Sequence, residues 1–151
     1  MNSIYLYADE ASLEVLLDER QKALLVGSDF GYGNFGDVLQ HLNSARFVKE
    51  LGRYATVSVF AANAIEFAGF PSWARSAYGS DAIVYVADYP LLLDENSPKL
   101  KLVGEIRNLA VVYLYGGGFL NDMWGDYVLS VSAFFLSLAP DIGYFVSGQQ
   151  V

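Results

Sequence analysis

Gly31, Gly33 and Gly36, with Asn34 between them and Asp37 directly after, lie between the apolar run 23–26 and a long helical pattern. A strand, a glycine-rich loop and a helix start bring backbone N–H groups and a helix N-terminus close to a ligand. A second cluster, Gly116, Gly117 and Gly118 with Asn121 and Asp122 behind it, follows the apolar run 110–115. A third glycine, Gly148, followed by Gln149 and Gln150, comes after the run 142–146. All three sets fall at the C-terminal ends of predicted strands, the edge of an open parallel sheet where ligands bind. One site assembled from several loops is expected.

The first cluster matches the dinucleotide fingerprint G-x-G-x-x-G and has its flanks, a strand before and a helix after. Two details weigh against that reading. Residues 27–30 separate the strand from the first glycine, where the fingerprint's tight turn leaves almost none. The next strand is followed by Ala61, Ala62 and Asn63 instead of an acid that could hold a ribose hydroxyl. Asp37 alone could be only a helix cap, a role worth ~1 kcal/mol. Asn34 in mid-loop has no such structural excuse. Three consecutive glycines exceed what a strand-to-helix turn needs, which points to close approach by a ligand or a partner domain. His41 falls one turn into the helix beside its apolar stripe and reads as a packing residue. Trp124 and Tyr127 could form a sugar platform or simply fill the core.

The elements that must position these loops follow from periodicity. Residues 1–21 carry a weak helical pattern, with Leu13, Leu16 and Leu17 opposite Asp9, Glu10, Glu14, Asp18 and Glu19, and read as a surface helix or arm. Residues 22–26 are the first buried strand. A helix capped by Asp37, with Gln40 three residues on, runs to about Leu51 and stops at Gly52; Val38, Leu42, Ala45 and Val48 form its apolar face. Strands follow at 55–60, 81–86, 110–115 and 142–146, with a short helix at 61–68, a helix from the Ser97-Pro98 pair to about Asn108, and a last one over 126–139 ended by Pro140. Strands alternating with helices give an α/β, Rossmann-like, doubly wound parallel sheet over residues 22–151. Such a fold would ordinarily continue with another helix past Val151, so a further half is expected.

Composition narrows the partners. At 151 residues the chain is one domain's worth. Hydrophobic residues reach 54% and charged ones only 17%, leaner than the ~25% of an average domain. Either the sheet is covered on both faces or part of the surface is covered by something else. Zero cysteines and a single histidine exclude thiol chemistry and disfavour transition-metal sites, and no cofactor is expected. Nine cations against seventeen anions give a net charge of −8, which repels nucleic acid and anionic headgroups. No apolar run approaches the ~20 residues of a membrane span, and the start lacks a basic leader. A cytoplasmic protein with no transmembrane segment, able to form a homo-oligomer, is the expectation.

Gly33-Asn34-Phe35-Gly36-Asp37, then Gly116-Gly117-Gly118-Phe119-Leu120-Asn121-Asp122, then Ser147-Gly148-Gln149-Gln150-Val151 resemble, in order and spacing, the motifs of the polysaccharide pyruvyl transferases. The resemblance runs over about 23–151 and covers the N-terminal half of such an enzyme; Gln150 stands where a glycine is more typical. It implies one half of a B-type glycosyltransferase fold and a role in exopolysaccharide biosynthesis: transfer of a pyruvyl group from phosphoenolpyruvate to a sugar hydroxyl. The donor, with phosphate and carboxylate, wants Arg and Lys. The three motifs hold none, so this half takes the acceptor and the donor-binding cations lie in the other; this half alone is expected to be inactive. The base for the attacking hydroxyl would be Asp37 or Asp29. A helix N-terminus lowers the basicity of Asp37, so hydrogen bonding to the acceptor is an equal role for it. Gly33, Asn34, Gly36, Gly116, Gly117, Gly118, Asn121, Asp122 and Gln149 would line the acceptor site. The alternatives are a nucleotide-binding Rossmann domain of an oxidoreductase or sugar-nucleotide enzyme, and a noncatalytic interaction module.

Overall fold

The run Ala23-Leu24-Leu25-Val26 is apolar on both of its faces, and a strand of that kind is stable only with a layer packed on each side. The computed structural model, which describes residues 3–27, 35–61, 79–93, 99–115, 127–139 and 141–147, places it at the middle of a sheet of seven strands. In chain order the elements are β1 (Tyr5–Asp9), α1 (Glu10–Leu17), β2 (Gln21–Val26), α2 (Phe35–Glu50), β3 (Tyr54–Ala61), β4 (Ala82–Ala87), β5 (Leu100–Leu102), β6 (Leu109–Leu114), α3 (Tyr127–Leu138) and β7 (Gly143–Val146). The sheet order is β5-β1-β4-β3-β2-β6-β7. β4, β3, β2, β6 and β7 are mutually parallel, and β1 is antiparallel to both β4 and β5. The five parallel strands taken alone have the order 3-2-1-4-5 of a Rossmann-like doubly wound sheet, with its topological switch between β2 and β6.

The two faces hold separate clusters. Leu24, Val26, Val57, Val59, Val112 and Leu114 pack with Leu16 of α1 and Val131 and Phe135 of α3. Ala23, Leu25, Tyr113 and Tyr115 pack with Ala45 and Val48 of α2 on the other face. α2 ends as its glycine demands: Gly52 has φ +72° and its N–H donates to the Lys49 carbonyl at 2.9 Å. The helix starts at Phe35, two residues earlier than expected, so Asp37 belongs to its first turn and is not its cap.

Two expectations are corrected. The helix expected within 1–21 is present as α1, but residues 5–9 before it are no arm outside the sheet: β1 pairs with β4 (Tyr5 with Ala87) and leads straight into α1, capped by Asp9, whose carboxylate accepts from Ser12 N at 2.9 Å. Five residues too apolar to alternate carry no strand periodicity of their own, and the acidic and leucine pattern behind them dominates the window. The helix expected up to Asn108 is replaced, over the described residues, by β5 and an extended segment. Leu100 and Leu102 alternate around Lys101, β1 supplies the strand they pair with, and Val103 N donates to Leu6 O at 2.8 Å. Asn108 turns the chain at φ +53° into β6, its side chain donating to Glu19 O. The Ser97-Pro98 pair and the short helix expected over 61–68 lie outside the described residues, apart from Ala61, the last residue of β3.

Candidate functional site

β2, β6 and β7 are neighbours in the sheet, and each leads into one of the three glycine-bearing segments. Their C-terminal ends are tied together: Tyr115 N donates to Val26 O at 3.1 Å and Ser147 N to Leu114 O at 3.0 Å. Tyr113 and Ser147 share a hydroxyl hydrogen bond of 2.6 Å that closes β6 onto the end of β7. Three glycine-bearing segments that are about 85 and 30 residues apart in sequence therefore follow adjacent strand ends at the switch point, where a doubly wound sheet opens a crevice.

Of the residues expected to line the site, Gly36 and the backbone of Asp37 are described, both in the first turn of α2, where Gly36 is exposed. The dipole at a helix's first turn favours an anionic or hydrogen-bonding partner there. Asp29, Gly33 and Asn34 fall in 28–34, Gly116, Gly117, Gly118, Asn121 and Asp122 in 116–126, and Gln149 in 148–151, all outside the described residues.

At these strand ends lies a polar network that the sequence did not announce. Tyr115, one residue past β6, is 1% exposed and its ring lies directly under Gly27, one residue past β2. Its hydroxyl shares a hydrogen bond of 2.9 Å with Nδ1 of His41, whose Nε2 shares one of 2.7 Å with Ser58 Oγ. Ser58 continues to Ser80. The His41 ring stands edge-on to Tyr115 at 5.1 Å and tilted on Phe60 at 5.5 Å. His41 is thus the packing residue its place in the helix suggests, 1% exposed, with both nitrogens engaged. Burial pushes its pKa down to about 3, so the ring is neutral at pH 7 and supplies no cation to the edge above it. Two signals in the sequence do point here: a serine inside the apolar strand Val57-Ser58-Val59, and a tyrosine at a buried strand end, which wants a partner for its hydroxyl.

Cations sit at the opposite edge. Arg20, Lys22, Arg53 and Arg107 lie just before or at the start of β2, β3 and β6. Lys22 is fully buried, its ammonium donating to the carbonyls of Asp18 and Arg20 and to Asp18 Oδ1 at 3.0 Å. Among the described residues no group of three or more His, Cys, Asp or Glu gathers where it could hold a metal ion, and no helix is long and apolar enough to cross a membrane.

Set against family models, curated proteins and solved structures, the chain matches none. The functional reading therefore rests on the site and its motifs.

Proposed function

We propose that this chain is the acceptor-side half of a pyruvyl transferase, presenting a sugar hydroxyl to phosphoenolpyruvate held by a second half. The observation that supports it is the convergence of three strand ends, Gly27, Tyr115 and Ser147, at one edge of the sheet, each leading into a segment with planar amide or carboxylate side chains. Those segments contain Asn34, Asn121, Asp122 and Gln149 and no Lys or Arg. Such side chains suit a neutral polyhydroxyl ligand through paired hydrogen bonds, whereas a phosphate and a carboxylate would need cations. Asp37, in the first turn of α2, would accept from or activate the attacking hydroxyl.

The nucleotide-binding alternative draws on one observation of its own: the first glycine segment follows the central strand at the switch point, where dinucleotides bind in Rossmann domains. Against it, β3 ends at Ala61 with no acid in the next two positions. Thermal unfolding with NAD, UDP-glucose, phosphoenolpyruvate, and the methyl glycosides of glucose, galactose and mannose separates the readings. A ligand at a hundred times its Kd raises stability by ~2.7 kcal/mol. The transferase reading expects a response to a glycoside and none to NAD or UDP-glucose; a saturable shift with either nucleotide overturns it.

A further inference from the structure

Among the described residues β7 is an edge strand, and its three last residues are apolar and half exposed: Tyr144 42%, Phe145 50% and Val146 44%. Edge strands are normally guarded by charge, proline or a bulge, and residues 143–147 carry none of these. Apolar side chains on both faces are the mark of a strand inside a sheet. Phe145 continues a row on the α2 face, its ring 5.2 Å from Tyr113, which in turn lies 6.3 Å from the half-exposed Phe47. Tyr144 and Val146, in register with the core residues Val112 and Leu114, belong to the opposite face.

We infer that β7 pairs antiparallel with β7 of a second copy across a two-fold axis centred on Phe145. The backbone selects this register. Ser147 N donates to Leu114 O across the β6–β7 ladder, and backbone groups alternate in direction along a strand, so Phe145 also faces β6 while the N–H and C=O of Tyr144 and Val146 point off the edge. Two copies satisfy those groups when Tyr144 of each stands opposite Val146 of the other. Phe145 then meets its own twin as a close, non-hydrogen-bonded pair, and like faces stay together. The row Phe47, Tyr113, Phe145 runs on into its mirror sequence, and Tyr144 packs on Val146 on the other face. With Leu51, the exposed parts of these side chains amount to on the order of 400 Å², half of the ~800 Å² per partner of a standard interface before backbone and flanking residues are counted. No charge within 143–147 opposes the pairing in a chain of net charge −8.

Sedimentation equilibrium, at concentrations up to about 100 μM, should give a species of twice the 16.6 kDa chain mass. Val146→Pro removes a donor that faces away from β6, so it leaves the internal ladder whole and should yield a folded monomer with an unchanged circular-dichroism spectrum. The chain has no cysteine, and Phe145→Cys should cross-link covalently to its twin on mild oxidation, since a non-hydrogen-bonded pair brings the Cβ atoms close to disulfide distance. Leu102→Cys, on the opposite edge strand, should not. A chain that stays monomeric, a Val146→Pro variant that stays dimeric, or cross-linking through Leu102→Cys but not Phe145→Cys overturns the inference. In the first case another segment or protein covers β7.

Discussion

A Cβ placed on Gly27 would lie 2.2 Å from Cζ of the Tyr115 ring. The ring is buried and held by His41 through its hydroxyl, so it cannot swing aside as a flexible side-chain end would. Gly27→Ala should therefore destabilise the domain by about 1–3 kcal/mol, the usual cost of overpacking, read as a drop in the urea midpoint at constant slope. Adding Tyr115→Leu should recover part of that loss, because the second change removes the obstacle. Costs that simply add would show that Gly27 and Tyr115 are not the coupled pair.

The hydroxyl of Tyr115 has its own effect. Tyr115→Phe keeps the ring against Gly27 and deletes the 2.9 Å bond to His41, which should cost about 1 kcal/mol. Ser58→Ala tests the other nitrogen with a similar expected loss. Since both bonds meet at one imidazole, the double variant should deviate from the sum of the two by ~0.5 kcal/mol or more.

Burial holds His41 near a pKa of about 3 against an ordinary 6.5. A folded-state pKa below the unfolded one means that the unfolded chain binds the extra proton first. Stability should be fully present above pH 6.5 and decline as pH falls through the window down to about 3, with a slope approaching ~1.4 kcal/mol per pH unit. The chain has no other histidine, so between pH 6.5 and 5 this slope belongs to His41. His41→Gln should flatten the stability profile there; an unchanged slope in that variant would locate the titration elsewhere.

What could be read in advance divides along physical lines. Four of the five parallel strands were legible because each holds a short apolar run ended by a glycine or a polar residue, and β3 by its β-branched alternation of Thr56, Val57, Ser58 and Val59; burial on both faces leaves such segments little choice of place. β1 and β5 were not, since Tyr5–Asp9 is a strand chiefly through its ladders to β4 and β5, and three residues around Lys101 are one only through β1. Pairing between segments about 80 and 90 residues apart leaves no local period. For the site, the placing of Gly27, Tyr115 and Ser147 on adjacent strands follows from the doubly wound order. The polar network under them does not, because a histidine in an apolar stripe looks alike whether its nitrogens find Ser58 and Tyr115 or not.

At the opposite edge, Lys22 is buried without exposure while its partner Asp18 keeps a third of its side chain in water. Hydrogen bonds from Arg20, and then from Lys22, hold the Asp18 carboxyl well below the usual carboxylate range. A depressed carboxyl stabilises the fold above its ordinary 3.8, and that contribution is lost as pH falls below it. Asp18→Asn leaves a buried ammonium with carbonyls alone and should cost about 1–3 kcal/mol, less than a fully buried pair because water reaches Asp18. Lys22→Met removes both the charge and its desolvation and should be close to neutral. Chemical unfolding of the two variants checks the asymmetry; equal losses would contradict it.

Asp37 offers the sharpest test of the proposed chemistry, because its two roles separate kinetically. If the chain is the transferase half proposed above, Asp37→Asn in the assembled enzyme retains a polar group of the same shape but cannot take a proton. If Asp37 is the base for the sugar hydroxyl, kcat should fall by roughly 10²–10⁴ with the acceptor KM little changed. If it only holds the acceptor, KM should rise by about tenfold, equivalent to ~1.4 kcal/mol, with kcat nearly intact. Asn34→Ala should follow the second pattern, since an amide has no proton to exchange near neutral pH. A transferase whose kcat and acceptor KM ignore both substitutions does not use this edge of the sheet for the acceptor.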